Sequence, residues 1–368
     1  SLKNINIKAT TKSEECMPLS QYVIMCVPTP VDDNHMPNLS YVVSASERIA
    51  KNLKNGQVII VESTINPGVM REVVLPILEK SGKKCGKNFY LIHCPERIDP
   101  GNPKWNVGNL PRVMGNLTSE CGKKGKEFYD SIGIPVMMLS SVEVAEVTKI
   151  IENAFRDINI AFVNELAKSF DVLGIDIVEV INGASTKPFS FLPHYPGAGV
   201  GGHCIPVDPY YLIEHAKQKG FTHKFLMLAR EINNSMPRFT VDKLIEGLKQ
   251  IDQSIKGCKV AVWGIAYKKN INDERESPSK KIVSILRQEG ADVIVFDPFI
   301  KGKSDVQDIE SSLMGKTALV LVTNHDDFLK YNISKFKQHG IKLIVDGRNC
   351  LDKEKIKSLG IIYKGIGR

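Results

Sequence analysis

The first part of the chain alternates short, continuously apolar runs with segments of helical periodicity. Apolar runs over 22–27 (YVIMCV) and 58–62 (VIIVE) are separated by a helical pattern over about 39–52. A second helical pattern over about 69–80 is followed by FYLIHCPER and by RVMGN around Val113, which predict two more strands. Because strands that alternate with amphipathic helices pair in parallel, the pattern predicts a buried parallel sheet with helices on both faces.

The middle of the chain has a different pattern. Residues 141–173 contain neither Gly nor Pro. Their apolar residues recur every three or four positions, at Val147, Ile150, Ile151, Ala154, Ile158, Ala161, Phe162 and Leu166. This spacing predicts a helix about 45 Å long, ending near Gly174, that bridges domains or forms a dimer face. A second helix is predicted over 225–235, and we expect it to end before Pro237.

Strands and helices alternate again from about residue 258. KVAVWGIAYK, ADVIVFDP, TALVLVTNH and IKLIVDGRN predict strands, and a helix is predicted over 278–289. The predicted fold class is therefore α/β, with two Rossmann-like doubly wound domains joined by a central helical domain that contains the long helix. The predicted domains are 1–140, 141–240 and 241–368.

Composition and charge narrow the class of protein. The chain has 368 residues, 42% of them hydrophobic, and a net charge of +8. The charge indicates an anionic partner, and because no block of basic residues occurs, a phosphorylated small molecule fits this charge as well as nucleic acid does. No nucleic-acid-binding motif is recognisable, so we expect no nucleic-acid partner. Eight dispersed cysteines without zinc-like spacing predict reduced thiols in the cytoplasm and no metal. No run of roughly 20 apolar residues and no signal peptide occurs, so no membrane association is expected.

The first predicted domain lacks one motif that is typical of Rossmann domains that bind nicotinamide cofactors. A nicotinamide-binding domain begins with a strand followed by G-x-G-x-x-G. No such unit precedes Tyr22, and the glycines at 197–202 do not follow a strand. We therefore expect the first domain to be incomplete at its N-terminus.

A set of ordered motifs nevertheless indicates a family. VPTP, STINPG, PER, a K-x-x-x-N spacing, GAGVGGHCIPVDP, AYKKNINDERESPS and DGRN follow one another from about residue 23 to the end. In order and spacing they resemble the UDP-glucose/GDP-mannose dehydrogenase family. Each motif alone is weak evidence for the family, whereas the ordered set is specific to it.

The resemblance assigns the central chemistry to Cys204. In the family, the cysteine at this position is the nucleophile in a four-electron oxidation that converts the C6 alcohol of a nucleotide sugar into a carboxylate with two NAD⁺. The aldehyde is captured as a thiohemiacetal, oxidised to a thioester and hydrolysed, which requires a thiolate. Taken alone, a cysteine would more often be a small buried hydrophobe, so this role depends on the surrounding GGHCIPVD.

Five further catalytic roles follow from the resemblance. Lys149 and Asn153, which share a helix face, would stabilise an oxyanion and hold an oxygen or a water. Asp208 would position the water or lysine for proton transfer, Thr64 would hold the water, and Glu96 would act as the base in thioester hydrolysis. Without the neighbouring motifs, these residues would be ordinary surface, cap or strand-end residues.

Binding residues are implied by the same motifs. Glycine allows close approach of a backbone to a ligand, and Arg and Lys suit a pyrophosphate. The predicted substrate-binding residues are Arg156, Gly199, Gly201, Gly202, His203, Tyr267, Lys268 and Arg348. The predicted residues for the cofactor, NAD, are Pro28, Thr29, Ser63, Thr64 and Arg275.

The sequence FRDINIAFVNE after Asn153 resembles the branch of the family that acts on UDP-N-acetylhexosamines. Arg156, which can donate to an N-acetyl carbonyl, and His203 favour an N-acetylated sugar over glucose. Within this branch, the motif most resembles enzymes of UDP-N-acetyl-D-mannosamine. TKPFSFLPHYPG looks closer to enzymes of UDP-N-acetylglucosamine, and UDP-glucose is a further alternative. The product would serve surface polysaccharide or glycan synthesis.

The missing fingerprint leaves a second class of function open. The chain could bind UDP-sugars, or act as a dimer partner, without catalysis. Retention of all six predicted catalytic residues favours the enzyme. The resemblance also implies a homodimer, or a dimer of dimers, formed through the long helix.

Overall fold

A computed structural model of the protein describes residues 6–32, 35–99, 102 and 104–368. The strands are β1 (Tyr22–Met25), β2 (Val58–Val61), β3 (Tyr90–His93), β4 (Arg112–Asn116), β5 (Val136–Met138), β6 (Lys259–Trp263), β7 (Asp292–Phe296), β8 (Ala318–Leu321), β9 (Leu343–Asp346) and β10 (Ile362–Gly365). The α-helices are α1 (Ser13–Cys16), α2 (Ser40–Asn52), α3 (Leu75–Glu79), α4 (Ser119–Ser131), α5 (Val142–Leu173), α6 (Ile177–Ala184), α7 (Asp208–Gln218), α8 (Lys224–Lys249), α9 (Pro278–Gln288), α10 (Ile309–Leu313), α11 (Asp326–Leu329), α12 (Ser334–Gln338) and α13 (Lys353–Ser358). Short 3₁₀-helices cover Met17–Leu19 and Lys301–Lys303, and a π-helix over Met70–Val74 leads into α3.

The chain forms two compact units. The first unit contains residues 1–153 and 207–222, and the second contains residues 154–206 and 223–368. Helix α5 contributes residues to both. Residues 1–5 of the predicted first domain lie outside the described residues.

The sheet of the first unit has the order β1-β2-β3-β4-β5. The predicted parallel pairing is confirmed for β1, β2 and β3, but it is wrong for β3 and β4, which are antiparallel. Parallel neighbours need a crossover, usually a helix. The described residues between β3 and β4 form no helix, so the chain returns beside β3 in the opposite direction.

Both faces of this sheet are covered, as the continuous apolar runs predict. All four residues of β2 are buried. Ile59 and Val61 pack with α2 and the 70–79 helical segment, whereas Val58 and Ile60 pack in the cluster that includes Cys121 of α4. Successive side chains of a strand point to opposite faces, so this division shows a helical layer on each side.

Helix α5 confirms the predicted long helix. It has 32 residues and is followed by Gly174 with a φ of +71°, a backbone conformation that glycine adopts without steric cost. Asp176 then caps the next helix, because its Oδ1 accepts hydrogen bonds from the N–H groups of Val178 and Glu179.

The second unit contains an all-parallel sheet in the order β10-β9-β8-β6-β7. The order reverses between β6 and β8, as in a doubly wound fold. Trp263 is fully buried on one face beside Phe328 and Phe336, and α8 and α9 cover the other face. The predicted Rossmann-like domain at this end of the chain is confirmed.

The predicted end of a helix before Pro237 is wrong, because α8 continues through the proline to Lys249. A proline inside a helix costs about 3 kcal/mol. Beyond it, however, Val241, Leu244 and Leu248 are buried in the core of the sheet. Burial of each such side chain stabilises by about 1.5–3 kcal/mol, so packing outweighs the cost of the proline. Among the described residues, we find no helix with the length and apolar character that a bilayer crossing requires.

Candidate active site

The first unit brings three predicted catalytic residues together. Asn153 lies on α5, one turn after Lys149, and its Nδ2 donates a 2.5 Å hydrogen bond to Oδ2 of Asp208. Asp208 is the first residue of α7 and is only 3% exposed. The positive charge of Lys149 acts on the same carboxyl group.

The environment of Asp208 favours its protonated form. Burial raises the pKa of its carboxyl group to about 6, while the hydrogen bond from Asn153 and the charge of Lys149 act in the opposite direction. A carboxyl group with this pKa exchanges a proton near physiological pH. The arrangement can therefore accept or deliver a proton beside a lysine ammonium group.

Two loops at the carboxyl ends of β1 and β2 contain four of the five predicted cofactor residues, all except Arg275. Ser63 Oγ donates to the carbonyl of Val27 over 2.7 Å, and Thr29 Oγ1 donates to the carbonyl of Thr64 over 2.6 Å. The hydroxyl of Tyr211 also donates to the carbonyl of Thr29. Cross-linked loops at this edge of a parallel sheet fit NAD, since dinucleotides bind outside the carboxyl ends of such strands. Pro28, next to Thr29 in the first of these loops, is exposed.

Glu96 follows β3 and is held by three donors. Its Oε1 accepts from the N–H groups of Arg97 and Ile98, both over 2.6 Å, and its Oε2 accepts from Arg112 over 2.8 Å. Arg112 also lies 3.0 Å from Glu62, as an ion pair without hydrogen-bond alignment. Sequence reasoning missed Arg112 and Glu62, because a charge at either end of an apolar run is usually a solvated strand end.

The glycine-rich loop lies in the second unit, where protein atoms crowd its glycines. A Cβ on Gly201 would lie 2.7 Å from Cβ of Tyr267, and one on Gly202 would lie 2.8 Å from the ring of the same residue. Gly199 and Gly202 have φ values of +136° and +90°. These positions therefore need glycine partly because the loop packs closely against the AYKKN and ERESP segments. The sequence did not reveal this packing.

Cys204 and His203 follow this loop. Gly202 N–H donates to the carbonyl of Arg275 over 3.0 Å, which ties the cysteine loop to the DERESPS motif. The guanidinium of Arg275 pairs with Asp273 through hydrogen bonds of 2.6–3.1 Å. These bonds raise the pKa of Arg275, and the charge of a Cys204 thiolate acts in the same direction. A positive charge near a cysteine favours its thiolate form.

Arg348 is attached to the same loop. Its Nε donates to the carbonyl of Val322 over 2.8 Å, and a Cβ on Gly197 would lie 3.1 Å from its Nη1. The N–H of Ala198 donates to the carbonyl of Gly347 over 2.9 Å. These contacts therefore hold the DGRN motif against the glycine-rich loop.

The loop that carries Tyr267 and Lys268 follows β6, at the point where the strand order of the second sheet reverses. A buried residue, Asp297, fixes its start by accepting from the N–H groups of Ile265 and Ala266 over 2.7 and 2.9 Å. His325 bonds to the same oxygen over 3.0 Å. Sequence reasoning did not single out Asp297 or His325. Acidic residues directly after buried parallel strands are the signal that could have identified the first of them.

Arg156 is exposed on α5. The next residue, Asp157, is buried and pairs with Arg230 over 2.5 Å. Asn233 donates to the same carboxylate over 2.8 Å. This second polar cluster on α5 was also missed, because its partners on α8 are more than 70 residues away in the sequence.

Models of three domains of one family match the chain. The NAD-binding domain of the UDP-glucose/GDP-mannose dehydrogenase family matches residues 1–133, the central domain 143–235 and the UDP-binding domain 261–353. A UDP-N-acetyl-D-mannosamine dehydrogenase of Pyrococcus horikoshii is 34% identical over 365 residues, covering 98% of this chain and 84% of its own. The chain belongs to the UDP-glucose/GDP-mannose dehydrogenase family.

Two further comparisons agree with this membership. A solved structure described as a UDP-D-ManNAc dehydrogenase from Pyrococcus horikoshii has a TM-score of 0.90, with 34% identity and coverage of 97% of this chain and 84% of the other. A UDP-N-acetyl-D-glucosamine 6-dehydrogenase of Pseudomonas aeruginosa is 34% identical over 342 residues, which are 90% of this chain and 81% of its own. The predicted family, the NAD cofactor and the class of nucleotide-sugar dehydrogenase are confirmed.

Proposed function

We propose that this dehydrogenase oxidises the C6 alcohol of UDP-N-acetyl-D-mannosamine to the carboxylate of UDP-N-acetyl-D-mannosaminuronate. The observation that carries the chemistry is the buried hydrogen bond between Asn153 and Asp208 beside Lys149. Asp208 follows the predicted nucleophile, Cys204, by four residues in the sequence. Overall, one alcohol, one water and two NAD⁺ give one carboxylate, two NADH and three protons. NAD⁺ supplies the hydride acceptor in both oxidations.

Cys204 provides the covalent step. Its thiolate adds to the carbonyl carbon of the aldehyde, and the resulting thiohemiacetal loses a hydride to become a thioester. Hydrolysis breaks the C–S bond, releases the carboxylate and regenerates the thiolate of Cys204. Arg275 supports the thiolate electrostatically.

Residues of the first unit act on the oxygens and the water. Lys149 stabilises negative charge on the reacting oxygen, and Asp208 exchanges the proton that this charge requires. Thr64 and Glu96 hold and activate the water for hydrolysis. The backbone and Arg112 contacts of Glu96 fix the direction of its remaining lone pairs.

The choice of sugar is supported by Arg156, His203 and the names of relatives. The mannosamine and glucosamine relatives have the same 34% identity, but the former aligns with 98% of this chain and the latter with 90%. An exposed guanidinium on α5 can donate to an N-acetyl carbonyl, which UDP-glucose lacks. UDP-N-acetylglucosamine is the alternative substrate to be tested beside it.

We also propose a homodimer in the cytoplasm. Ile151, Phe155 and Phe162 on α5 are 49–55% exposed and recur at helical spacing, so they form an apolar stripe suited to a second copy. All eight cysteines are free thiols, which supports a reducing compartment. Static light scattering at micromolar concentration tests the dimer, and a monomer would refute it.

Turnover with three substrates tests the function. The protein is incubated with NAD⁺ and, separately, with UDP-N-acetylmannosamine, UDP-N-acetylglucosamine or UDP-glucose, while NADH and product mass are recorded. We expect two NADH per sugar with the first substrate and none after Cys204→Ala. Cys16→Ala, at an exposed cysteine, is the control and should leave turnover unchanged. Preference for another sugar would reject the proposed substrate. Absence of NADH with all three, both from this chain and from a form preceded by a strand and a G-x-G-x-x-G unit, would reject the function.

A further inference from the structure

A buried carboxylate on α5 bonds to a loop that is distant in the sequence. Glu146 is 0% exposed. Its Oε2 accepts from the N–H of Gly68 over 2.7 Å and its Oε1 from the N–H of Met70 over 2.9 Å. Both bonds connect α5 to the end of the STINPG motif, 76–78 residues away.

These two bonds satisfy N–H groups at the start of the helical segment that begins at Met70. Such N–H groups have no partner within their own helix. Gly68 has a φ of +89°, and this turn directs its N–H towards α5. The two oxygens of one carboxylate therefore fix both sides of the turn that ends the loop.

Within the described part of the chain, no cation forms an ion pair with Glu146. Arg71 forms an ion pair of 2.7 Å with Glu143, one turn earlier on α5, and Glu72 lies beside Gly68. Burial raises the pKa of Glu146 to about 7, the two backbone hydrogen bonds act to lower it, Glu143 raises it and Arg71 lowers it. Burial of this acid costs free energy, and the two hydrogen bonds from backbone N–H groups offset that cost.

Glu146 shares a helix face with Lys149 and Asn153, since the three are spaced three and four residues apart. The segment that it holds begins with Ser63 and Thr64. Ile65 within the segment is fully buried, so the segment is anchored at both ends. We propose that Glu146 is a positioning residue that fixes Thr64 relative to Lys149 and Asn153. This inference rests on the proposed function.

The first test measures the contact itself by amide hydrogen exchange. Glutamine at position 146 has one acceptor oxygen, and its NH₂ group would face the other N–H. We therefore expect Glu146→Gln to reduce the protection of Gly68 or Met70 by about tenfold. Glu143→Gln is the matched control, because it removes an acid from the same helix without touching the backbone of the loop. Equal protection in the wild type and in Glu146→Gln would overturn the inference.

A further measurement uses only the wild-type protein, so its result does not depend on whether a variant folds. The ionised carboxylate accepts both hydrogen bonds more strongly than the protonated acid does. After correction for intrinsic exchange, protection of the two amides should increase from pH 6 to pH 8. Protection that is independent of pH would contradict a carboxylate anchor.

The second test distinguishes positioning from general stability. If Thr64 holds the hydrolytic water, Glu146→Gln should lower kcat by about tenfold, leave KM for the nucleotide sugar within about twofold, and accumulate a covalent adduct on Cys204, visible by intact-protein mass. Glu143→Gln should retain wild-type kcat. A wild-type protein that turns over, with an equally active Glu146→Gln variant, would overturn the positioning role alone. A wild-type protein without turnover would overturn the proposed function and this role together.

Discussion

Replacement of Asp208 by asparagine tests the electrostatics of the Lys149–Asn153–Asp208 cluster. The folded-state pKa is about 6, compared with 3.8 for an ordinary aspartate. Because the folded pKa is raised, the stability contribution is fully present below pH 3.8 and is lost as the pH rises through 6. At about 1.36 kcal/mol per pKa unit, ionisation costs about 3 kcal/mol at pH 8. Asparagine has no charge to bury and keeps an oxygen for Asn153.

We therefore expect Asp208→Asn to be more stable than the wild type by up to about 3 kcal/mol at pH 8, and by less than about 1 kcal/mol at pH 4. Urea unfolding followed by circular dichroism at the two pH values measures this difference. Asp292→Asn, at an exposed aspartate, should show no such dependence on pH. A variant that is less stable than the wild type by the same amount at both pH values would show that Asp208 stabilises the fold as an anion, and would refute the reasoning.

Three other substitutions have expected effects on stability. Gly201→Ala would place a methyl group 2.7 Å from a side-chain carbon and 2.8 Å from a backbone oxygen, so it should cost about 1–3 kcal/mol. Gly183→Ala, with nothing within 4 Å on a helix, should stabilise by up to about 1 kcal/mol; thermal unfolding measures both, and similar shifts in the two variants would contradict this account. Arg112→Met leaves Glu62 and Glu96 without their shared cation and should cost about 3 kcal/mol in urea unfolding. A loss below about 1 kcal/mol would mean that solvent screens this pair.

Most of the fold was predictable because burial leaves a strong imprint on the sequence. The continuous apolar runs predicted β1, β2 and β6 to β9, and the absence of Gly and Pro before Gly174 predicted α5. The exceptions depend on tertiary structure. Strand β5 has only three residues, two of them exposed, so burial leaves little imprint on its sequence. The continuation of α8 through Pro237 depends on packing against a sheet formed by later residues.

The candidate site was predictable where a motif carries the residue. Asn153 and Asp208 were each expected to act in catalysis from their motifs, and a hydrogen bond joins them. Glu146, Arg112 and Asp297 have no such local signal, because each acts on backbone or charge that is distant in the sequence. Their importance appears only when the partner is known. Residues that hold a site together are for this reason harder to predict than residues with direct chemical roles.

The reversed direction of β4 has a geometric consequence for the charge of the site. Parallel strands present only their carboxyl ends to the edge where Ser63 and Glu96 lie. With His93 opposite Gly115, continuing the antiparallel register places Arg112, the first residue of β4, opposite Glu96. In a parallel β4 of five residues, its first residue would lie at the other edge, about 13 Å away at 3.3 Å per residue. A change of strand polarity thus delivers to this rim a cation that uniform winding would have placed on the far side of the sheet.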